Sequence, residues 1–184
     1  MMKKKLFNPI LITLFTFMLF SCESDDNINN EVELYTGRYK IISFKSNTEV
    51  DLNNDNISSE ELTNEINSFD LNDLEIKPNL ISFFFPKTWI SFQYPSSPEG
   101  SIEFIGYGFG TNFEYEDNLF SLKEKSYIEE SYIDNVESNK NVTINCNLIV
   151  IDDNHIKTSI SKEYYDFNSN NWVLLNIDVI YEKQ

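Results

Sequence analysis

The sequence predicts a mainly β fold, an antiparallel β-barrel or strongly curved meander, with one short α-helix near residues 59–67. Three observations carry this. Apolar and polar residues alternate with period two from about residue 35 onward, which marks strands with one face in a core and the other in water. The connectors are short and rich in Asn, Asp and Ser, as in Glu137-Ser-Asn-Lys140, Asp152-Asp-Asn154 and Asn168-Ser-Asn-Asn171, and such connectors join neighbouring strands as hairpins. About nine or ten strand candidates result, a count suited to a sandwich or barrel. Closure into a barrel protects the edges of so large a sheet most completely.

Taken in order, the opening strand is GRYKIISFKS from Gly37. The helix follows, and then DLEIKP, LISFFFP, WISFQY, SIEFIGYGF, NFEYE and LFSLKE as further strands. Pro86, Pro95 and Pro98 cluster around the fourth strand and suggest an edge or strand end there. In NVTINCNLIVI the residues Val142, Ile144, Cys146, Leu148 and Val150 share one face, which makes Cys146 an inert core thiol. Ile156, Thr158, Ile160 and Tyr164 share a face in HIKTSISKEYY, and Val173, Leu175, Ile177, Val179 and Tyr181 share one in the last strand.

The N-terminus sets the expected compartment. MMKKK is a basic head, LFNPILITLFTFMLF is an apolar run too short for a full membrane span, and Leu19-Phe20-Ser21-Cys22 closes it. This pattern resembles the lipobox of bacterial lipoproteins, which implies a signal peptide at 1–21 and acylation of Cys22. Glu23-Ser24-Asp25-Asp26 looks like the acidic tag that directs Bacteroidota lipoproteins to the outer face of the outer membrane, with a periplasm-facing position as the alternative. Residues 22–33 then read as the acylated Cys and a flexible tether, and 34–184 as a single β domain. The formal charge of −16 becomes more negative when Lys3, Lys4 and Lys5 are lost, which argues against nucleic acid and against charge-driven binding to anionic lipid.

Nothing in the chain assembles a catalytic constellation. His155 is the only His, beside a turn in DDNHIK, and Cys146 is the only thiol besides Cys22. There is no Cys/His cluster and no Gly-rich phosphate loop, since Gly106, Gly108 and Gly110 alternate like strand residues. The chain is therefore expected not to be an enzyme.

Two readings are open for DLNNDNISSEELTNEI, Asp51 to Ile66. Asp51, Asn53 and Asp55 hold positions 1, 3 and 5 of a calcium loop, with Asn56 where a left-handed residue is needed. Position 12 is Leu62, so the closing ligand would come from Glu60, Glu61 or elsewhere. The other reading is a capped helix. Ser58 and Glu61 form a capping box, Ile57 and Leu62 a hydrophobic staple, and Leu62, Ile66 and Phe69 a helical stripe.

Gly37-Arg38-Tyr39, then Val50-Asp51-Leu52-Asn53-Asn54-Asp55-Asn56 and Ser58 to Glu65, resemble the Gly-x-aromatic strand, VDLNGDG segment and Ser-initiated helix of small lipocalin-like lipoproteins of Bacteroidota. The resemblance implies an antiparallel barrel. It departs at Tyr39, where lipocalins have Trp, and at the last strand, which has no Arg to stack on that ring.

Twelve aromatic residues fall between Phe83 and Phe120, and in Phe83-Phe84-Phe85 successive rings must point to opposite faces. Trp89, Phe92, Tyr94 and Tyr107 are the candidate ligand residues, for a small apolar molecule or, alternatively, a glycan. A covered, ligand-free sheet of structural or adhesive use is the competing expectation, and a filled interior would favour it.

Overall fold

The computed structural model describes residues 26–67, 69, 73–91, 101–133 and 136–184. The signal-peptide and Cys22 assignments, the start of the acidic tag, and Phe92, Tyr94, Pro95 and Pro98 lie outside the described residues. A helix α1 (Asp26–Tyr35) precedes twelve strands. They are β1 (Gly37–Val50), β2 (Ser59–Glu61), β3 (Asp73–Lys77), β4 (Leu80–Ser91), β5 (Ser101–Thr111), β6 (Phe113–Glu116), β7 (Leu119–Leu122), β8 (Ser126–Ile133), β9 (Val136–Ile144), β10 (Leu148–Val150), β11 (His155–Asp166) and β12 (Asn171–Lys183).

Seven strands close a barrel in the order β12, β1, β3, β4, β8, β9, β11 and back to β12. Outside the ring, β2 flanks β1, β5 pairs with β4, and β10, β7 and β6 continue outward from β11. Every pairing is antiparallel except β4 with β8, which is parallel at Trp89↔Tyr132 and Ile90↔Ile133. The alternation read from the sequence sets the inner face. Ile156, Thr158, Ile160, Lys162, Tyr164 and Asp166 of β11 are buried, as are Leu175, Ile177, Val179 and Tyr181 of β12. Each such apolar side chain contributes roughly 1.5–3 kcal/mol on burial. Tyr39, Phe44, Phe83, Phe85, Tyr164 and Tyr181 fill this interior with no exposed surface. Lys183 of the last strand lies 5.9 Å from the centre of the Tyr39 ring, a cation–π contact.

Local chemistry explains the turns. β6 and β7 join through Asp117 (φ 50°) and Asn118 (φ 63°), both left-handed as a two-residue hairpin turn requires. β4 and β5 lie so close that a Cβ at Gly108 would sit 1.7 Å from the Phe83 carbonyl oxygen, and only glycine fits there.

The sequence reading needs correction in four places. The stretch near 59–67 is not a helix. Ser59–Glu61 is a strand followed by a turn at 62–65, because β1 offers hydrogen bonds that outcompete the local cap. Leu62 N–H donates to the Phe44 carbonyl at 2.9 Å, and the Glu61 carboxylate accepts from Phe44 N–H at 3.0 Å instead of closing a capping box. Ser58 accepts from Asn168 Nδ2, and Ile57 is 66% exposed, so neither cap nor staple forms. Leu62 and Ile66 are nonetheless buried, as their spacing predicted.

Second, the helix is Asp26–Tyr35, which begins inside the stretch 22–33 expected to be a tether and runs into the β domain, and its Val32 and Tyr35 are buried in the core. Tyr35 lies 5.6 Å from Tyr115 and 6.0 Å from Phe120 ring to ring, and its carbonyl accepts the Tyr39 hydroxyl at 2.7 Å. Third, LISFFFP and WISFQY are not separate strands: β4 runs from Leu80 to Ser91 straight through Pro86. The Pro86 carbonyl takes the Tyr164 hydroxyl, not a strand partner, so the missing N–H costs no ladder bond. Fourth, Glu137–Lys140 is not a connector but part of β9, and Cys146 sits half-buried in the bend between β9 and β10 instead of on a strand's inner face.

Candidate functional site

The Asp51 loop is folded about its own backbone. Asn54 (φ 61°) and Asn56 (φ 64°) are left-handed, which Asn tolerates better than other side-chain-bearing residues. The buried Asp51 carboxylate accepts N–H bonds from Asn54 at 2.7 Å, Asp55 at 3.3 Å and Asn56 at 3.0 Å. Asn53 Oδ1 accepts from the same Asp55 N–H at 3.0 Å, and Asn53 Nδ2 donates to Asp55 Oδ2 at 3.2 Å. Three of the five sequence-predicted metal ligands are thus brought together. Glu60 and Glu61 are not: Glu60 pairs with Lys45 at 3.3 Å, and Glu61 is held by Phe44 N–H, Ser43 and Thr63.

Glu65, which the sequence reading passed over, is the carboxylate that closes on the loop. It is buried and accepts from Leu52 N–H at 3.0 Å. Burial raises its carboxyl pKa, and the nearby Asp55 and Asp51 charges add to the rise. Asp166 ties the loop to the β11–β12 hairpin by accepting from Asp51 N–H at 2.9 Å. Burial works against the Asp166 carboxylate, but bonds from Ser169, Asp51 and Asn168 outweigh it and hold its pKa below the usual range. Among the described residues, no group of three or more His, Cys, Asp or Glu is placed to hold a metal ion.

Trp89 and Tyr107, predicted as ligand residues, do meet at one place. Trp89 stacks on Tyr132 with ring centres 4.8 Å apart and planes 19° apart. Tyr107, 39% exposed, approaches Tyr127 at 5.8 Å. Between them lies Lys87, whose ammonium is 5.3 Å from the Trp89 ring centre and 4.8 Å from that of Tyr107. Its one described hydrogen bond runs to the Glu130 carbonyl at 2.7 Å. Alternation on β4 set Lys87 on the face of Phe83, Phe85 and Trp89, and that was the signal that might have found it.

Beneath the rings is a buried charged pair. Lys162 of β11 and Glu129 of β8 form an ion pair with neither side chain exposed. Burial pushes the Glu129 carboxyl up and the Lys162 ammonium down, and their mutual attraction opposes both shifts. Lys87 acts electrostatically on both groups. Thr88 Oγ1, Ser131 Oγ and Glu129 Oε2 are buried without a hydrogen-bond partner among the described residues.

The other chemistry-bearing residues lie apart. His155 Nδ1 is 2.9 Å from Asp152 Oδ1 at the start of β11. Cys146 Sγ accepts from Ser159 N–H at 3.2 Å and borders a pocket of about 310 Å³ with Ile149, Thr158 and Val179. No family model, no curated protein and no solved structure matches the chain.

Removing one partner of the buried pair strands the other charge. Glu129→Ala is expected to destabilise the fold by about 3–5 kcal/mol, seen as a lowered thermal midpoint. Glu129→Leu combined with Lys162→Met is expected to recover most of that loss. A Glu129→Ala melt at the wild-type midpoint would mean that the pair does not form in solution.

Proposed function

We propose that the chain is a non-enzymatic, lipid-anchored β-barrel protein of the outer membrane that binds a small apolar or ring-bearing molecule on the aromatic patch of Trp89, Tyr107 and Tyr132. The observation that carries this is the stacked Trp89–Tyr132 pair beside a part-exposed Tyr107. Flat aromatic faces accept apolar rings and the apolar faces of sugars alike. The deep interior is unsuited to a ligand, because Tyr39, Phe44, Phe83, Phe85 and Tyr181 already fill it. Binding is therefore expected at the barrel end and not in a central calyx.

Isothermal titration of the full chain with 2-naphthylmethanol tests the patch. Saturable binding is expected, weakened about tenfold or more in Trp89→Ala, as for a buried aromatic anchor. Unchanged binding in Trp89→Ala, with loss on filling the Cys146 pocket by Ile149→Trp, would move the ligand to that pocket and overturn the reading.

The anchor is tested separately. Cys22→Ser is expected to move the chain from the membrane fraction to the soluble one, since acyl chains hold such a protein to the bilayer. Retention of the variant would sink the lipoprotein reading. Protease cleavage in intact cells distinguishes the outer surface from the periplasmic face.

We propose calcium as a second, stabilising ligand on the ground that Asp51, Asn53 and Asp55 are gathered in one loop. Asp51 and Asn53 oxygens converge on one N–H, that of Asp55, whose own carboxylate touches Asn53. Glu65 touches this loop through Leu52 N–H, whereas Glu60 and Glu61 are engaged elsewhere. Asp55→Ala removes an exposed carboxylate, with its bonds to Ile57 N–H and Asn53, and leaves the buried Asp51 bonds to Asn54 and Asn56 in place. Millimolar calcium is expected to raise the thermal midpoint by several degrees relative to EDTA in the wild type and not in Asp55→Ala. Superimposable wild-type curves would reduce the loop to a turn.

A further inference from the structure

We infer that the site around Lys87 is built for an anion, so that the molecule held on the aromatic patch carries an acidic group on its apolar or ring-bearing body. This rests on the patch being the binding surface, and it adds the ligand's charge.

The first ground is a count of buried charges. Lys87, Lys162 and Glu129 interact with one another, so two ammoniums share one carboxylate. Glu129 is committed to Lys162. Lys87, 7% exposed, pairs with no carboxylate among the described residues and spends one proton on the Glu130 carbonyl. An ammonium has three donors, so two remain. The rings of Trp89 and Tyr107 favour the cation but offer no oxygen. A buried charge without a counter-ion is costly, and a ligand acid would supply that counter-ion.

A second observation concerns the unpartnered atoms at the same junction. Thr88 Oγ1, Ser131 Oγ and Glu129 Oε2 have no hydrogen-bond partner among the described residues, and all three residues are buried. The pairing of Trp89 with Tyr132 sets Thr88 beside Ser131 across the β4–β8 junction, at the strand that carries Lys87. By strand alternation the two hydroxyls lie on the opposite face of β4 from Lys87 and Trp89, so the Lys87 ammonium is the charged donor turned toward the rings. The arrangement also runs against the chain's own bias, because an excess cation is buried in a protein of net charge −16.

Two probes sharing one ring system isolate the charge: 2-naphthoate and the neutral 2-naphthylmethanol, each titrated calorimetrically into the full chain. The acid is expected to bind about tenfold tighter, as one added hydrogen bond between charged groups predicts. Lys87→Met keeps the aliphatic stem and is expected to abolish that preference while leaving the affinity for the alcohol in place. Lys87→Arg is expected to retain the preference. Equal wild-type affinities for the two probes, or a preference that survives Lys87→Met, would overturn the anion inference and leave the aromatic patch standing. Failure of both probes to respond to Trp89→Ala would remove the patch itself. If Lys87→Met does not fold, the wild-type comparison and Lys87→Arg decide: equal affinities refute the inference, and a preference kept by Arg supports it.

Discussion

Because β5 occupies one edge of β4 along its whole length, from Ile81↔Thr111 to Ser91↔Ser101, the other edge must serve two neighbours in succession. β3 takes it at Leu80 to Phe83, and β8 takes it at Trp89 and Ile90. The barrel closes only through this shared edge, and much of its odd chemistry follows. Between the two pairings the edge has no strand, and Pro86 sits there with its carbonyl turned to Tyr164. Gly108 is needed where β5 presses on Phe83. β8 arrives parallel, an orientation that gives slanted and somewhat weaker ladder bonds. The aromatic patch and the unpartnered hydroxyls gather at this junction, where regular pairing is thinnest.

A buried Lys–Glu pair in a barrel core adds little net stability, since desolvation of both ions consumes much of their attraction. It nevertheless ties β8 to β11, which are not neighbours in the sheet but flank β9. The same reasoning separates Lys162 from Lys87. Lys162 has its carboxylate and belongs to the framework, whereas Lys87 has two aromatic rings and a carbonyl.

The class of fold was legible because period two survives in β11 and β12. The Ile156-to-Tyr164 face is buried as alternation predicts, and on β12 Leu175, Ile177, Val179 and Tyr181 are buried while Val173, at the start of that face, is half-buried. The misreadings have a common cause: local signals do not report what a neighbouring strand offers. Ser58 to Glu65 carries a sound capping box, yet the free edge of β1 at Phe44 takes Glu61 and Leu62 for itself. Asp26 to Tyr35 is polar enough to pass for a tether, and only docking of Val32 and Tyr35 holds it helical. Trp89 and Tyr107 were legible as candidates from ring density. Their meeting with Lys87, Glu129 and Lys162 was not, because it joins β4, β5, β8 and β11 across tens of residues.

The β8–β9 hairpin is bonded to itself at eight residue pairs, from Ser126↔Thr143 to Ile133↔Val136. It is joined to the remainder of the ring at only two pairs on each side, to β4 and to β11. Its own ladder is thus longer than its pairing to either neighbour, and side chains make up the difference: the Glu129–Lys162 and Lys140–Glu163 pairs hold it to β11, and the Lys87 bond to the Glu130 carbonyl holds it to β4. It carries Glu129, Ser131 and Tyr132 together with the core residues Val142 and Ile144, so the charged junction and this part of the core are hydrated or buried as one.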